Sequence, residues 1–346
     1  MDGRKIKILE AIIRDYVKTG EPVGSRTIAK KYDLGISSAT IRNEMADLEE
    51  LGYIEQLHSS SGRIPSDRGY RLYVDKLMEV TDLSEEEKYF IKNKMLTSQL
   101  YQLDKVVSEA TRLLSQLTNL ACIANTPSLK SSAIKQIQLI GVDTTTVVVV
   151  LITNNGLISN KVIKIEKGLN PNMLQRLNYL INDRLQGLSV EDIGLQVINN
   201  LKEDLDGHED IFNALIPALY DGLKEMESSK VYAEGTSNIL NYPEYNDIEK
   251  AKGFFQFINN EENIRRILQP SPDTDNKSIT INIGMENGLV DARDYSIITA
   301  VYGTGTSAVG AIGVIGPTRM DYDKVIATLD SLVKELNLNI LQIYKK

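Results

Sequence analysis

The sequence predicts an α+β fold, with a small helical head ahead of a larger body built on a mixed sheet. Three patterns predict it. Apolar residues recur at helical spacing over the first 50 residues, strand-like runs occupy 134–166 and 279–315, and helical patterns fill 171–228 between those runs. The chain of 346 residues has room for two or three domains. A sheet domain interrupted by helices is the simplest account of this order.

The head, residues 1–80, starts with two helices that a tight turn joins to a third. Asp2 can cap the first helix, which ends at Gly20 because glycine accepts the left-handed backbone of a helix end. Ser25 can cap a short second helix. Gly35 then supplies a turn conformation that other residues resist, and this order is typical of a helix-turn-helix.

The third helix and the strands after it complete the head. Either Ser37 or Ser38 can cap the helix. Its buried face is predicted from apolar residues at helical spacing, namely Ile41, Met45 and Leu48. Residues 53–57 alternate like a strand, 59–62 form a polar tip, and a second strand begins at Arg63. Together these elements predict a winged helix-turn-helix.

Candidate DNA contacts lie on the faces of the third helix that are not buried. Arginine can pair with guanine and asparagine with adenine in the major groove, so Arg42 and Asn43 are candidates for reading bases. Serine donors at the helix start suit a phosphate, and small residues in the tip allow a close approach to DNA. The full predicted set is Ser37, Ser38, Thr40, Arg42, Asn43, Ser60, Gly62 and Arg63. The alternative is a protein-interaction module with a solvated polar face.

Charge is distributed unevenly between head and body. The head holds 13 of the 39 basic residues and 13 of the 47 acidic residues, so the whole net charge of −8 lies on the body. An acidic body argues against a general coat of nucleic acid. It still allows a neutral head to dock on DNA while the body is repelled.

Composition disfavours several other classes of protein. The single cysteine, Cys122, excludes an internal disulfide framework, fits a reducing cytoplasm and is expected to be a buried thiol. Two histidines, His58 and His208, leave little for a histidine metal site or a Ser-His-Asp triad, so no enzyme, metal or cofactor is expected. The longest apolar run, 147–152, is far too short to span a membrane. The glycine-rich stretch 303–310 lacks the lysine of a P-loop and is interpreted as a hairpin loop.

One long segment of the head resembles a known signature. Residues 37–75, SSATIRNEMADLEELGYIEQLHSSSGRIPSDRGYRLYVD, resemble the DNA-binding signature of the HrcA family, bacterial heat-inducible repressors of chaperone operons. Three further matches follow in order: KVYAEGTSNIL at 230–240, INIGMEN at 281–287 and AIGVIGPTRMDYDKVI at 311–326. The resemblance therefore extends from end to end of the chain.

The resemblance implies a homodimeric cytoplasmic repressor with no membrane segment and no cofactor. It implies a winged-helix domain at 1–80, a linker helix region at 81–127, a GAF-like domain at 128–166 and 229–346, and an inserted dimerisation domain at 167–228. It also implies binding to the CIRCE inverted repeat upstream of groE and dnaK operons, and dependence on the GroEL chaperonin. The alternative is a winged-helix regulator whose GAF-like domain responds to a small molecule.

The body should supply the dimer contacts, because the head is small and uses its exposed faces for DNA. Apolar helical positions between 171 and 228 exceed what packing on a sheet requires; they are Met173, Leu177, Leu180, Ile181, Ile211, Leu215 and Leu219. The strands of 134–166 are expected to pair with those of 279–315 in one interrupted sheet. Such non-local pairing is slow, which would explain a need for a chaperonin.

Overall fold

The structure is a computed structural model of the full chain. It describes residues 2–57, 61–97, 103–126, 133–154, 157–166, 168–189, 192–205, 207–227, 230–269, 279–304 and 308–344. Within these ranges the protein is a mixed α+β fold, as the sequence predicts. No helix of the described ranges is both long enough and apolar enough to cross a membrane.

The head folds as three helices, a pair of very short strands and a fourth helix. Its elements are α1 Gly3–Thr19, α2 Ser25–Lys31, α3 Ser38–Glu50, β1 Ile54–Glu55, β2 Ile64–Pro65 and α4 Asp67–Leu72, followed by a π-helical turn at Tyr73–Leu77. Gly20 and Gly35 have φ of 70° and 66°, so both turns use the left-handed conformation expected of them. The caps differ in detail, because Asp2 makes no side-chain cap bond and Gly24, rather than Ser25, occupies the cap position of α2.

The body contains a five-stranded antiparallel sheet in the order β7-β3-β10-β9-β8. The strands are β3 Ala121–Asn125, β7 Val231–Glu234, β8 Ile279–Ile283, β9 Tyr295–Gly303 and β10 Ala308–Pro317. Alternate residues of β3 enter different cores, with Cys122 on one face and Ile123 on the other. Helices α5 Glu85–Thr97, α6 Leu103–Thr118 and a final α12 Tyr322–Tyr344 belong to the first core, whereas α10 Ile248–Asn259 and α11 Glu261–Ile267 belong to the second.

Two body features match expectations from the sequence. Cys122 is fully buried, and burial raises the pKa of its thiol. The glycine-rich stretch joins β9 and β10 as an antiparallel hairpin, although 305–307 lie outside the described residues. Within the linker helix region expected at 81–127, the described residues form the two helices α5 and α6, followed by the strand β3.

A separate unit lies between β3 and β7. It consists of β4 Ile134–Gly141, β5 Thr146–Thr153 and β6 Ile158–Lys164, with α7 Pro171–Leu185, α8 Leu195–Asp204 and α9 Glu209–Glu227. The three strands form their own antiparallel sheet and share one hydrophobic core with the helices. The expected pairing of 134–166 with 279–315 is therefore wrong. It is β3 that pairs with the strands of 279–315 in the five-stranded sheet. Because β4–β6 belong to the separate unit, that unit begins before residue 167, the expected start of the inserted domain.

Side chains of α7 cover the free edge of β4, which explains why β4 does not join the five-stranded sheet. The side-chain amide of Asn182 in α7 accepts from the Ile137 nitrogen at 2.8 Å and donates to its carbonyl at 2.6 Å. Asn178 makes the same pair of bonds with Leu139, at 2.6 and 3.1 Å. These amides satisfy the free edge of β4, so the strand needs no neighbour from the larger sheet.

Candidate nucleic-acid interface

A single serine, Ser37, caps the N-terminus of α3. Ser37 is the cap residue, and its Oγ accepts a hydrogen bond from the Thr40 nitrogen at 3.1 Å. The same Oγ lies 2.9 Å from the Thr40 hydroxyl, so both polar side chains stand at the helix N-terminus. Ser38 is the first helical residue and is partly exposed. A helix N-terminus with hydroxyls beside its free amides is favourable for an anion such as a phosphate.

The faces of α3 are divided as the periodicity predicts. The buried residues of the helix are Ile41, Met45 and Leu48. Arg42 and Asn43 are exposed, Thr40 is partly exposed, and Arg42 has no ion-pair partner within the described part of the chain. The two side chains that can read base edges are therefore accessible on a helix anchored by its opposite face.

Two acidic residues of α3 are held by α1. Lys5 Nζ lies 2.9 Å from the Glu44 carboxylate and 3.0 Å from that of Asp47, and Arg4 lies 3.6 Å from Glu44. The hydrogen bond to Glu44 is the main reason that the pKa of Lys5 is raised. This pairing neutralises carboxylates that would otherwise repel a phosphate backbone.

The other predicted residues, Ser60, Gly62 and Arg63, lie between β1 and β2 in the sequence. Gly62 packs on the chain between α1 and α2, because a Cβ there would come within 2.6 Å of the Val23 carbonyl carbon and 2.7 Å of that of Pro22. Close packing inside the head thus already requires this glycine, whatever its distance from DNA. Ser60 and His58 lie outside the described residues.

Arg63 is engaged within the head. Its Nε donates to Glu49 Oε2 at 2.9 Å, Nη2 lies 2.7 Å from the same oxygen, and the side chain is 20% exposed. Its backbone exchanges two hydrogen bonds with Val23, at 2.8 and 2.9 Å. The structure brings Arg63 to the last turn of α3, where it is tied to a carboxylate and is not free like Arg42.

Two further cations of the head were not nominated from the sequence. Arg26 and Lys30 of α2 are exposed and make no ion pair within the described ranges. The signal was available, since Ile28 is the buried residue of α2 and residues two positions away point outward. Both cations add positive charge to the exposed surface of the head outside α3.

Comparison with known proteins gives consistent results along the whole chain. The family described as HrcA protein C terminal domain matches residues 104–326. The heat-inducible transcription repressor HrcA of Clostridium acetobutylicum is 51% identical over 340 residues, 98% of each chain. That of Clostridium botulinum (strain Alaska E43 / Type E3) is 53% identical over 342 residues, 99% of this chain and 98% of the relative.

A solved structure shares the fold. It is described as the crystal structure of a hypothetical protein at 2.2 Å resolution, has a TM-score of 0.71 and 23% identity, and covers 99% of each chain. The likeness supports the arrangement of elements but says nothing of function. The sequence relatives are decisive, and the chain belongs to the HrcA family.

Proposed function

We propose that the protein is a non-enzymatic transcription repressor that reads an inverted-repeat operator as a homodimer in the cytoplasm. The observation that carries the proposal is the free face of α3. Arg42 and Asn43 are exposed there, on a helix whose cap is formed by Ser37 and whose other face is buried. The head acts as a winged helix-turn-helix, with α3 as the recognition helix in the major groove.

The dimer surface must differ from the one expected from the helices. Most of the apolar helical residues proposed for it are buried in the unit's own core, including Leu177, Ile181, Ile211, Leu215 and Leu219. They cannot face a partner without unfolding the unit. The apolar excess of these helices is used to cover the inner face of β4–β6.

The outer face of the same sheet fits a second copy better. Val148 stands opposite Ile140 on one side and Val162 on the other, and Ile152 stands opposite Ile158. Ile140 is 49% exposed, Ile158 46% and Val162 67%. Apolar side chains aligned across three strands form a patch that monomers seldom leave open, and a two-fold axis can pair it with itself. The inserted unit is therefore proposed as the dimerisation domain.

The operator and the chaperonin complete the proposal, on the strength of family membership. The operator is the CIRCE repeat upstream of groE and dnaK operons, and active repressor depends on GroEL. The step that would need the chaperonin is the pairing of β3 with its two neighbours, β10 and β7. In the β3–β10 pair, Ala124 stands opposite Ile312. These strands are far apart in the sequence, so the five-stranded sheet closes slowly and exposes strand edges meanwhile.

A cleft between head and body favours the second candidate function, regulation by a small molecule. The cleft encloses about 1030 Å³ and is lined by residues of both parts, including Arg68 and Asp67 from the head and Arg293 and Asp294 from the body. Its charged lining would suit a polar ligand. In this candidate the body is a GAF-like domain whose ligand changes operator affinity.

A footprint of the purified protein on chaperone promoters tests both candidates. The repressor should protect two half-sites of an inverted repeat symmetrically, and GroEL should raise the fraction of protein that protects. Protection that responds to a small-molecule extract, with no response to GroEL, would favour the second candidate. Absence of protection on every inverted repeat would refute the proposed operator.

A further inference from the structure

Arg319 lies in the loop between β10 and α12, where the body meets the head. The residue is 8% exposed. Its Nη1 donates to the Val17 carbonyl of α1 at 3.1 Å, while Nε and Nη2 both bond the carboxylate of Glu244, the latter at 3.2 Å. The guanidinium also lies over the Tyr242 ring, 5.2 Å from its centroid. One buried side chain thus joins a head helix to two groups of the body.

The C-terminal end of α1, which Arg319 contacts, favours a cation. Val17 stands in the last turn of α1, where carbonyls have no partner inside the helix and the helix dipole is negative. Gly20 ends the helix with φ of 70°, and a Cβ at that position would lie 3.0 Å from the Arg319 Nη2. The missing side chain at Gly20 lets the guanidinium approach the end of the helix.

Arginine has a specific advantage at this place. Its planar fork can bond a carboxylate with two nitrogens, leave the third for a carbonyl and stack on an aromatic ring at once. A lysine has one charged nitrogen and cannot hold Glu244, Val17 and Tyr242 in one geometry. The three contacts of Arg319 therefore fix the orientation of α1 relative to the body, in addition to neutralising the charge of Glu244.

Other contacts hold the head from a second side. Arg71 of α4 donates to Glu286 at 2.8 Å and to the Ile281 carbonyl at 2.6 Å. Asp67 accepts from the Met285 nitrogen at 2.9 Å. With the Arg319 contact on α1, these bonds leave the head little freedom to rotate on the body.

This docking determines where the recognition helix stands. A two-fold reader needs its two recognition helices on one face of the DNA, about 34–36 Å or a multiple of that distance apart, and a small tilt of each head would change their separation. We infer that Arg319 is a positioning residue: it fixes the orientation of α3 relative to the body and so sets the half-site spacing that the dimer accepts. The inference rests on the proposed function.

The first test compares operators that differ only in half-site spacing. Arg319→Lys and Glu244→Gln each break the contact between these two residues, from opposite sides. The matched control is Arg184→Ala in the inserted unit, because Arg184 also holds a carboxylate with two nitrogens, that of Asp204, at 2.5 and 3.1 Å. We expect wild type and control to prefer one spacing sharply. Both contact variants should lose about tenfold in affinity at that spacing and bind the others nearly equally, because the second half-site contact is no longer pre-arranged. Their affinity for a single half-site should not change.

The second test needs no DNA. Spin labels at Ala29→Cys on α2 and Lys252→Cys on α10, both exposed positions, report the distance between head and body, and the buried Cys122 should not react. Wild type should give one narrow distance distribution and the contact variants a broad one. Unchanged distributions together with unchanged spacing preference would overturn the inference. If wild type binds no inverted repeat, the proposed function fails, and the distance measurement alone decides whether Arg319 fixes the head.

Discussion

The Nε of Arg63 donates to the Glu49 carboxylate at 2.9 Å, so the residue that precedes β2 is tied to the last turn of α3. A phosphate contact that uses Nε or Nη2 of Arg63 requires this pair to open. The carboxylate competes with the phosphate for the same guanidinium, and it also adds a negative charge beside the proposed DNA surface. The balance between these two anions determines what Arg63 contributes.

Glu49→Gln should release Arg63 and strengthen binding to all DNA sequences. The plot of log affinity against log salt should steepen by about one unit, because one more phosphate is neutralised. In the Glu49→Gln background, Arg63→Ala should reverse both changes. Fluorescence anisotropy over a salt series measures them, and identical slopes for all three proteins would show that Arg63 serves only the fold of the head.

Arg42→Ala or Asn43→Ala should weaken operator binding by about 1–3 kcal/mol, with a smaller effect on random DNA, because each change removes a base contact. Both residues are exposed, so the stability of the head should not change. Arg112→Ala on α6 removes an arginine paired with Glu109 outside the head and serves as the control. Equal losses on operator and random DNA would reassign the residue to phosphate positioning.

Val162→Lys should dissociate the proposed dimer, because it places a charge on the outer face of the β4–β6 sheet at a position that is 67% exposed in the single chain. The control is Tyr179→Lys on α7, at a position that is 70% exposed in the same unit. Sedimentation should find Val162→Lys monomeric and the control dimeric, with operator affinity lost only in the former. A dimeric Val162→Lys protein would place the interface elsewhere.

Periodicity predicted the head well because its information is local. The burial of Ile41, Met45 and Leu48 fixes which way Arg42 points, and no distant residue enters that argument. The head–body contacts are not local. Arg319 reaches the Val17 carbonyl across nearly the whole chain, and no spacing pattern encodes such a meeting.

The body shows the other limit of sequence reasoning. The periodicity of an amphipathic helix such as α7 predicts which face is buried but not which surface covers that face. It predicts Leu177 and Ile181 at a dimer contact, whereas both lie in the chain's own core. The short strand β3 lies in an apolar stretch with no clear strand pattern, so the sequence predicts 134–166 in the place that β3 occupies in the larger sheet. The amides of Asn178 and Asn182 bond the backbone of β4 along its free edge, where a strand of the larger sheet would otherwise pair. The polarity of the two asparagines does not by itself predict these contacts.

Tyr70→Phe should raise the free energy of unfolding by up to about 1 kcal/mol. Tyr70 is 1% exposed, and within the described part of the chain its hydroxyl has no hydrogen-bond partner. Its ring lies 5.8 Å from that of Tyr322, whose hydroxyl donates to the Thr318 carbonyl at 2.6 Å and lies 2.7 Å from the Ser296 hydroxyl. Tyr322→Phe is the matched control and should lower stability by about 1 kcal/mol. Urea denaturation measures both, and a loss of stability in Tyr70→Phe would mean that its hydroxyl is satisfied in solution.

GroEL should raise the yield of active repressor without changing the affinity of repressor that is already active. We expect closure of the five-stranded sheet to be the slow step, because β3 must pair with β10 and β7 while the strand edges of Ala121–Asn125 and Tyr295–Gly303 are exposed. After dilution from denaturant, operator titration should find a larger active fraction with GroEL and ATP than without them. The dissociation constant of the active fraction should be equal in the two cases. Tighter operator binding by fully folded dimer in the presence of GroEL would replace assisted folding with a direct contact between the two proteins.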